Sequence, residues 1–341
     1  MSPTTPDLAE LLDAAVVVTL PLHRRFRGIT TREALLLRGP AGWGEFAPFL
    51  EYDAQESSRW LAAAIEAAWT GFPAPRRASV EVNATVPAVP GADVPAVLAG
   101  FGDCRTVKVK VAERGQTLAD DVDRVRAVRR CAWADARIRV DANGGWTVDE
   151  AERALDALGE SGLEYAEQPC ASLEELAELR RRMHRSGAVV PLAADESIRK
   201  AEDPLRVVGL EAADLVVLKV APLAGVRPAL AVAAACGLPV VVSSALDTSV
   251  GIAAGLALAA ALPELPHACG LGTVALLAGD VRHDPLVPVD GRLPVGPAVA
   301  DADLVERHRA PQERQGWWRE RLRAAHAVLS PDDPDGVAAG S

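Results

Sequence analysis

From about residue 80 onward, short β-branched runs alternate with longer stretches in which apolar positions recur at helical spacing. The runs Val80–Val86, Thr106–Val111, Arg137–Val140, Leu163–Ala166, Val189–Ala193, Leu215–Val220, Pro239–Val242 and His267–Leu271 predict eight strands. Between them, Leu118–Arg130, Thr147–Gly159, Ser172–Arg185 and Gly225–Cys236 predict helices. Thr147, with Glu150 three positions on, has the form of a capping box, and Ser172 is placed to cap the next helix. Strand followed by helix, repeated, requires parallel pairing through right-handed crossovers. Eight such strands favour a closed barrel over an open doubly wound sheet. The open sheet would normally carry a glycine-rich phosphate turn after its first strand, and no G-x-G-x-x-G or Walker sequence stands there.

Residues 1–80 read differently. Ala14–Leu20 and Glu33–Arg38 predict two strands joined by the basic turn Pro21–Thr30, and Ala54–Thr70 predicts a helix. This α+β unit is expected to cap the barrel of residues 81–285. Val287–Pro297 reads as proline-rich and extended, and Ala302–Leu329 as a charged helix around Trp317 and Trp318. Segment 286–329 is expected to pack back on the cap, and 330–341 to be a disordered tail.

Composition removes several classes. Of 341 residues, 49% are hydrophobic and 24% charged, which excludes a disordered chain. The net charge of −11 argues against nucleic acid as a partner. Five cysteines without a C-x-x-C pair argue against a disulfide framework or thiolate zinc site and fit a reducing cytoplasm. No secretion signal is read at the N-terminus. The alanine-rich runs Ala229–Ala235 and Val250–Ala261 are shorter than the roughly 20 residues a bilayer demands, so no membrane association is expected.

Five charged residues stand at or just past the ends of successive strand candidates: Lys110, Asp141, Glu167, Asp195 and Lys219. Their spacings of 31, 26, 28 and 24 residues each correspond to one βα unit, so each returns to the same end of the barrel. A lone acid after a strand usually caps a helix; five charges in phase with the repeat do not reduce to caps. Three converging carboxylates repel one another unless a cation lies between them. Oxygen donors select Mg²⁺, with Mn²⁺ as substitute, over zinc. Such an ion at the barrel mouth stabilises the enediolate formed when a carboxylate's α-proton leaves. Lys110 is the candidate base, with Lys219 facing it.

The set Lys108-Val-Lys110, Asp141-Ala-Asn143, Glu167-Gln-Pro169, Asp195-Glu-Ser197 and Lys219 resembles the enolase superfamily, specifically its muconate-lactonising subgroup. The resemblance spans nearly the whole chain and implies a (β/α)7β TIM-like barrel behind an N-terminal α+β capping domain containing Gly42-Trp-Gly-Glu45. It implies Asp141, Glu167 and Asp195 as metal ligands and Lys110 and Lys219 as the lysines flanking the substrate. His267–Thr273 lacks the acidic pair of dipeptide epimerases, which disfavours a substrate bearing an ammonium. The segments Val242–Gly251, His23–Thr30 and Gly42–Phe49 are similar to those of the o-succinylbenzoate synthase family of menaquinone biosynthesis.

That resemblance implies a lyase acting on a small anionic carboxylate. The reaction is syn dehydration of 2-succinyl-6-hydroxy-2,4-cyclohexadiene-1-carboxylate through an enediolate stabilised by Mg²⁺. Lys110 serves as base and then acid, and Lys219 stays cationic. Lys108, Asn143, Arg27, Ser243, Ser244, Leu271 and Gly272 are candidate substrate contacts. His23, Arg24 and Arg25 beside Arg27 form either a lid or a solvated loop tip. Two alternatives stay open: an N-succinylamino-acid racemase using both lysines, and a silent barrel that binds an anion through its metal.

Overall fold

Antiparallel pairing begins the chain. β1 (Ala15–Phe26) and β2 (Ile29–Gly39) form a hairpin whose register runs from Ala15 opposite Leu37 to Phe26 opposite Ile29, with an irregularity between Pro21 and Phe26. Its tip is the two-residue turn Arg27-Gly28, both left-handed (φ 48° and 80°), as a tight hairpin loop requires. The expected basic loop Pro21–Thr30 is therefore mostly strand. Its exposed polar side chains hide pairing that the backbone supplies, and only Phe26 in that stretch is buried.

β3 (Gly42–Phe46) completes the sheet beside β2, a strand the sequence reading missed because two of its five residues are glycine. Gly44 is required there: a Cβ would stand 2.1 Å from the Ala64 carbonyl oxygen, because the sheet lies directly on the helix Ala54–Ile65. That helix continues as a π-turn, Glu66–Thr70. Computed as a structural model, the protein is described for residues 6–187, 190–199 and 205–330; the expected tail beyond 330 lies outside them.

The expected first barrel strand, Val80–Val86, divides in two. β4 (Ser79–Glu81) pairs antiparallel with the C-terminal segment 292–294, while β5 (Ala84–Val86) enters the barrel. Then follow β6 (Thr106–Lys110), β7 (Arg137–Asp141), β8 (Leu163–Glu167), β9 (Leu192–Ala194), β10 (Leu215–Leu218) and β11 (Val240–Val242), in spatial order β5 to β11 and all parallel. Val189, the expected start of the fifth barrel strand, lies outside the described residues. The eighth position is filled by His267–Leu271, which bridges Val82 through Cys269 and Ser243 through Gly270, both in parallel sense. These bridges close the sheet into a barrel.

Helices cover the outside, with Val107, Val109, Ile138 and Val140 packed toward them. Thr147 forms the expected capping box with Glu150, and Ser172 caps the next helix as expected, completing a second box with Glu175. The helix Ser249–Ala261 is buried along nearly its whole length, which explains its alanine-rich composition. Among the described residues no helix is long and apolar enough to cross a membrane.

The expected long C-terminal helix is broken at Pro311 into Ala302–Arg307 and Gln312–Leu329, since the residue before a proline leaves helical geometry. Between barrel and helices, β12 (Arg292–Pro294) is the partner of β4. Trp318 and Leu322 of the last helix join Leu35, Leu37, Phe46 and Trp60 in one apolar cluster, so the end of the chain packs on the cap sheet.

Candidate active site

The two-residue period of Thr106-Val-Lys-Val-Lys110 turns Lys108 and Lys110 to the inside of the barrel while Val107 and Val109 face the helices. Register then sets the rest. Lys110 lies opposite Asp141, Asp141 opposite Glu167, and Glu167 opposite Ala193, two residues before Asp195. Lys219 is the residue after β10. The five in-phase charges thus stand side by side at the C-terminal rim of the strands.

They engage one another closely. The Lys110 Nζ donates to Asp141 Oδ2 at 2.5 Å and to Asn143 Oδ1 at 2.7 Å. Lys108 Nζ donates to Glu167 Oε1 at 3.0 Å and lies 3.1 Å from Asp141 Oδ2, so one ammonium bridges two carboxylates. Lys219 Nζ donates to Asp195. Asn143 passes the connection on: its Nδ2 donates to Glu196 Oε1 at 3.1 Å. The chain turns left-handed at Asn143 (φ 47°) and Gln168 (φ 40°), directly past the ends of β7 and β8, a strain typical of functional rims. Gln168 was not singled out as a site residue although it belongs to the Glu-Gln-Pro motif. It accepts the Asp195 amide at 2.9 Å and donates to Ser197 Oγ at 2.6 Å, pinning the loop that carries Asp195.

Burial sets the electrostatics. It pushes the Glu167 carboxyl up to about 7, helped by the neighbouring charges of Asp141 and Asp195. For Asp141, burial works upward too, but Lys110 and Lys108 outweigh it and hold the group below the usual carboxylate range. Burial lowers the Lys110 ammonium below the ordinary lysine value, aided by Lys108 and opposed by Asp141. Burial also pulls Lys108 down, yet Glu167 and Asp141 together carry it upward.

Among the described residues no three Asp, Glu, His or Cys side chains close into a ligand cage. The carboxylates are held instead on the three lysines. The donor set nonetheless fits a hard divalent cation: Asp141, Glu167 and Asp195 are all oxygen donors, all buried, and the two aspartates electrostatically oppose ionisation of the glutamate between them.

A cavity of about 30 Å³ lies above this cluster, with Lys110 and Lys219 both in its wall. Lys108, Asp141, Asn143, Arg27, Ser243 and Ser244 line it as well. Leu271 and Gly272 do not. Leu271 points its side chain into the barrel helix at Gly255, and Gly272 lies against Asn83, Pro288 and Phe101. Their neighbours Gly270 and Thr273 face the cavity instead: a 3-10 turn begins at Gly272, and positions three apart share a face in such a turn. Ser244 Oγ is 2.7 Å from Thr273 Oγ1, which joins the seventh and eighth positions of the barrel.

The cap supplies Phe26, Arg27 and Phe49, with the Arg27 guanidinium 4.4 Å over the Phe49 ring. Phe49 and Thr85 are also new to the site. Thr85 was legible as a polar position in an apolar strand, and it pairs in register with Lys108.

Two family models match: enolase N-terminal domain-like over residues 17–68 and enolase C-terminal domain-like over residues 94–299. The o-succinylbenzoate synthase of Mycobacterium leprae is 57% identical over 327 residues, covering 96% of this chain and 95% of that protein. That of Mycolicibacterium smegmatis is 57% identical over 330 residues, covering 96% of this chain and 100% of the other. The chain belongs to the o-succinylbenzoate synthase family of the enolase superfamily. Among solved structures, the muconate lactonizing enzyme of Pseudomonas putida superimposes with a TM-score of 0.71 at 21% identity, over 87% of this chain and 98% of that one. That likeness concerns the fold, a barrel closed behind an antiparallel cap. Members of the superfamily are divalent-metal dependent, which agrees with the oxygen donor set at the rim.

Proposed function

We propose that the protein is a lyase that dehydrates 2-succinyl-6-hydroxy-2,4-cyclohexadiene-1-carboxylate to o-succinylbenzoate, acting in the cytoplasm with Mg²⁺, for which Mn²⁺ substitutes. The observation that carries this reading is the placement of Lys110 and Lys219 in the wall of one cavity, in a chain 56–57% identical to o-succinylbenzoate synthases.

Lys110 removes the proton α to the ring carboxylate and, as the ammonium, returns it to the departing hydroxyl on the same face. A single residue serving both steps makes the elimination syn. Lys219 remains protonated and faces the ring as it gains negative charge. Asp141, Glu167 and Asp195 are the residues that would hold the cation, which supplies charge stabilisation at the substrate carboxylate. Lys108 keeps Asp141 and Glu167 oriented through its double ion pair. Asn143 positions Lys110, while Arg27, Ser243 and Ser244 provide donors for the succinyl arm.

The same reading divides the chain into a cap, residues 1–80 with 286–329, and a barrel, residues 81–285. The substrate is enclosed where the two meet. Aromatisation changes the ultraviolet absorbance, so the test is direct: turnover of the cyclohexadiene with Mg²⁺ and its loss with chelator. Absence of turnover under saturating metal would remove the reading. A second reading, racemisation of N-succinylamino acids, draws on the same two-lysine cavity.

A further inference from the structure

Outside the catalytic cavity lies a larger one of about 450 Å³, and the two share Phe26, Arg27, Lys110 and Asn143 as walls. Its outer boundary is the loop Glu113–Gln116 that follows β6, faced by Arg25 and Gly28 on the hairpin tip. Four cationic side chains line it, Arg25, Arg27, Lys110 and Arg114, against one carboxylate, Glu113. That balance is opposite to the chain's, whose net charge is −11.

Pairing sharpens the contrast. The adjacent Arg24 is held by Asp93 at 3.4 Å, whereas among the described residues no carboxylate pairs with Arg25, Arg27 or Arg114. Arg27 is fixed by its ring contact with Phe49. Arg25 and Arg114 approach the same space from two separate elements, the cap hairpin and a barrel loop, and both are exposed. Unpaired guanidiniums facing each other across a cleft repel unless an anion occupies it.

The geometry points to an entry vestibule in which Arg25 and Arg114 capture the dianionic substrate and deliver it past Phe26, Arg27 and Asn143 to the two lysines. This rests on the reaction proposed above, whose substrate carries two carboxylates. A chain of strongly negative net charge repels such a molecule at long range, and a local cationic funnel at the mouth reverses that field where it matters.

The experiment compares the wild type with the double variant Arg25→Gln/Arg114→Gln at low and high salt. At low salt, kcat/KM falls about tenfold in the variant, while kcat stays within about twofold. The salt dependence of kcat/KM, steep in the wild type, flattens. Calorimetric binding of o-succinylbenzoate weakens by a similar factor. Arg105→Gln, which removes one positive charge at the opposite end of β6, leaves all three quantities at wild-type values. Unchanged kcat/KM and salt dependence in the double variant overturn the vestibule, as does a loss confined to kcat. A wild type that fails to dehydrate the cyclohexadiene sinks the proposed reaction instead. The o-succinylbenzoate titration, which needs no turnover, then still decides whether the arginines bind a dicarboxylate.

Discussion

Glu45, on the last strand of the cap sheet, accepts the amide of Thr248 at 3.1 Å and its hydroxyl at 2.5 Å, at the head of the barrel helix Ser249–Ala261. The Gly251 amide donates to the same carboxylate at 3.1 Å. One cap side chain thereby satisfies amides that the first turn of a barrel helix leaves unpaired. The contact ties together the cap and the barrel strand end that bears Ser243 and Ser244. Burial, and then the nearby charge of Asp247, push the Glu45 carboxyl up to about 8.

A carboxyl raised in this way binds its proton more tightly in the folded chain than in the unfolded one. It contributes stability that is fully present below the ordinary carboxylate range and is lost as the pH rises through about 8. Unfolding by urea at several pH values is therefore expected to show wild-type stability declining between pH values of about 5 and 9. Glu45→Gln, which cannot ionise, has a flatter profile. The quantity that decides is the difference between the two curves; parallel profiles would refute the assignment.

Lys110→Ala is expected to lower kcat for aromatisation by about 10²- to 10⁴-fold, the usual worth of a positioned general base. The fold survives the change, because Asp141 keeps Lys108 as a partner at 3.1 Å when Lys110 is gone. Thermal unfolding close to that of the wild type, with near-normal Mn²⁺ binding by calorimetry, is the accompanying result. Activity within severalfold of the wild type would take the base role from Lys110.

Divalent metal is expected to stabilise the folded chain, since it relieves the mutual opposition of Asp141, Glu167 and Asp195. At a free Mg²⁺ concentration of roughly 100 times Kd, the gain in unfolding free energy is about 2.7 kcal/mol. Asp195→Asn loses most of that gain at the same concentration, because one of the three charged donors has gone. Equal metal-induced stabilisation in variant and wild type, followed by thermal melting, would place the ion elsewhere.

The rim charges were legible in the sequence for a geometric reason. A strand and its following helix take a nearly constant length of chain, so residues that recur at that interval return to one end of the barrel, and register carries Lys110, Asp141 and Glu167 side by side. Residues placed by packing left no such trace. Leu271 and Gly272 illustrate how a change from strand to 3-10 turn exchanges cavity wall for core, so that Gly270 and Thr273, three positions apart, face the site instead. Phe49 reaches the cavity only because the cap sheet lies over the barrel mouth, and Gln168 matters through a loop beyond the next helix. The hairpin tip was misread for a related reason: backbone pairing needs no apolar alternation, and Pro21–Phe26 shows little of it.

Both lysines reach one cavity, so proton exchange on either face of a bound substrate is geometrically open, and the two proposed reactions differ in what they require of Lys219. Dehydration needs only its charge; racemisation needs it to give up and take back a proton. Lys219→Arg separates them, because a guanidinium keeps its proton throughout the working pH range. Dehydration is expected to persist in this variant at a reduced rate, while deuterium uptake at the α-carbon of N-succinylamino acids in heavy water disappears. In the wild type, that uptake is expected to be slower than dehydration, since the elimination gains an aromatic ring and racemisation gains nothing. Faster α-exchange than dehydration in the wild type would reverse the order of the two activities and make the racemase the principal one.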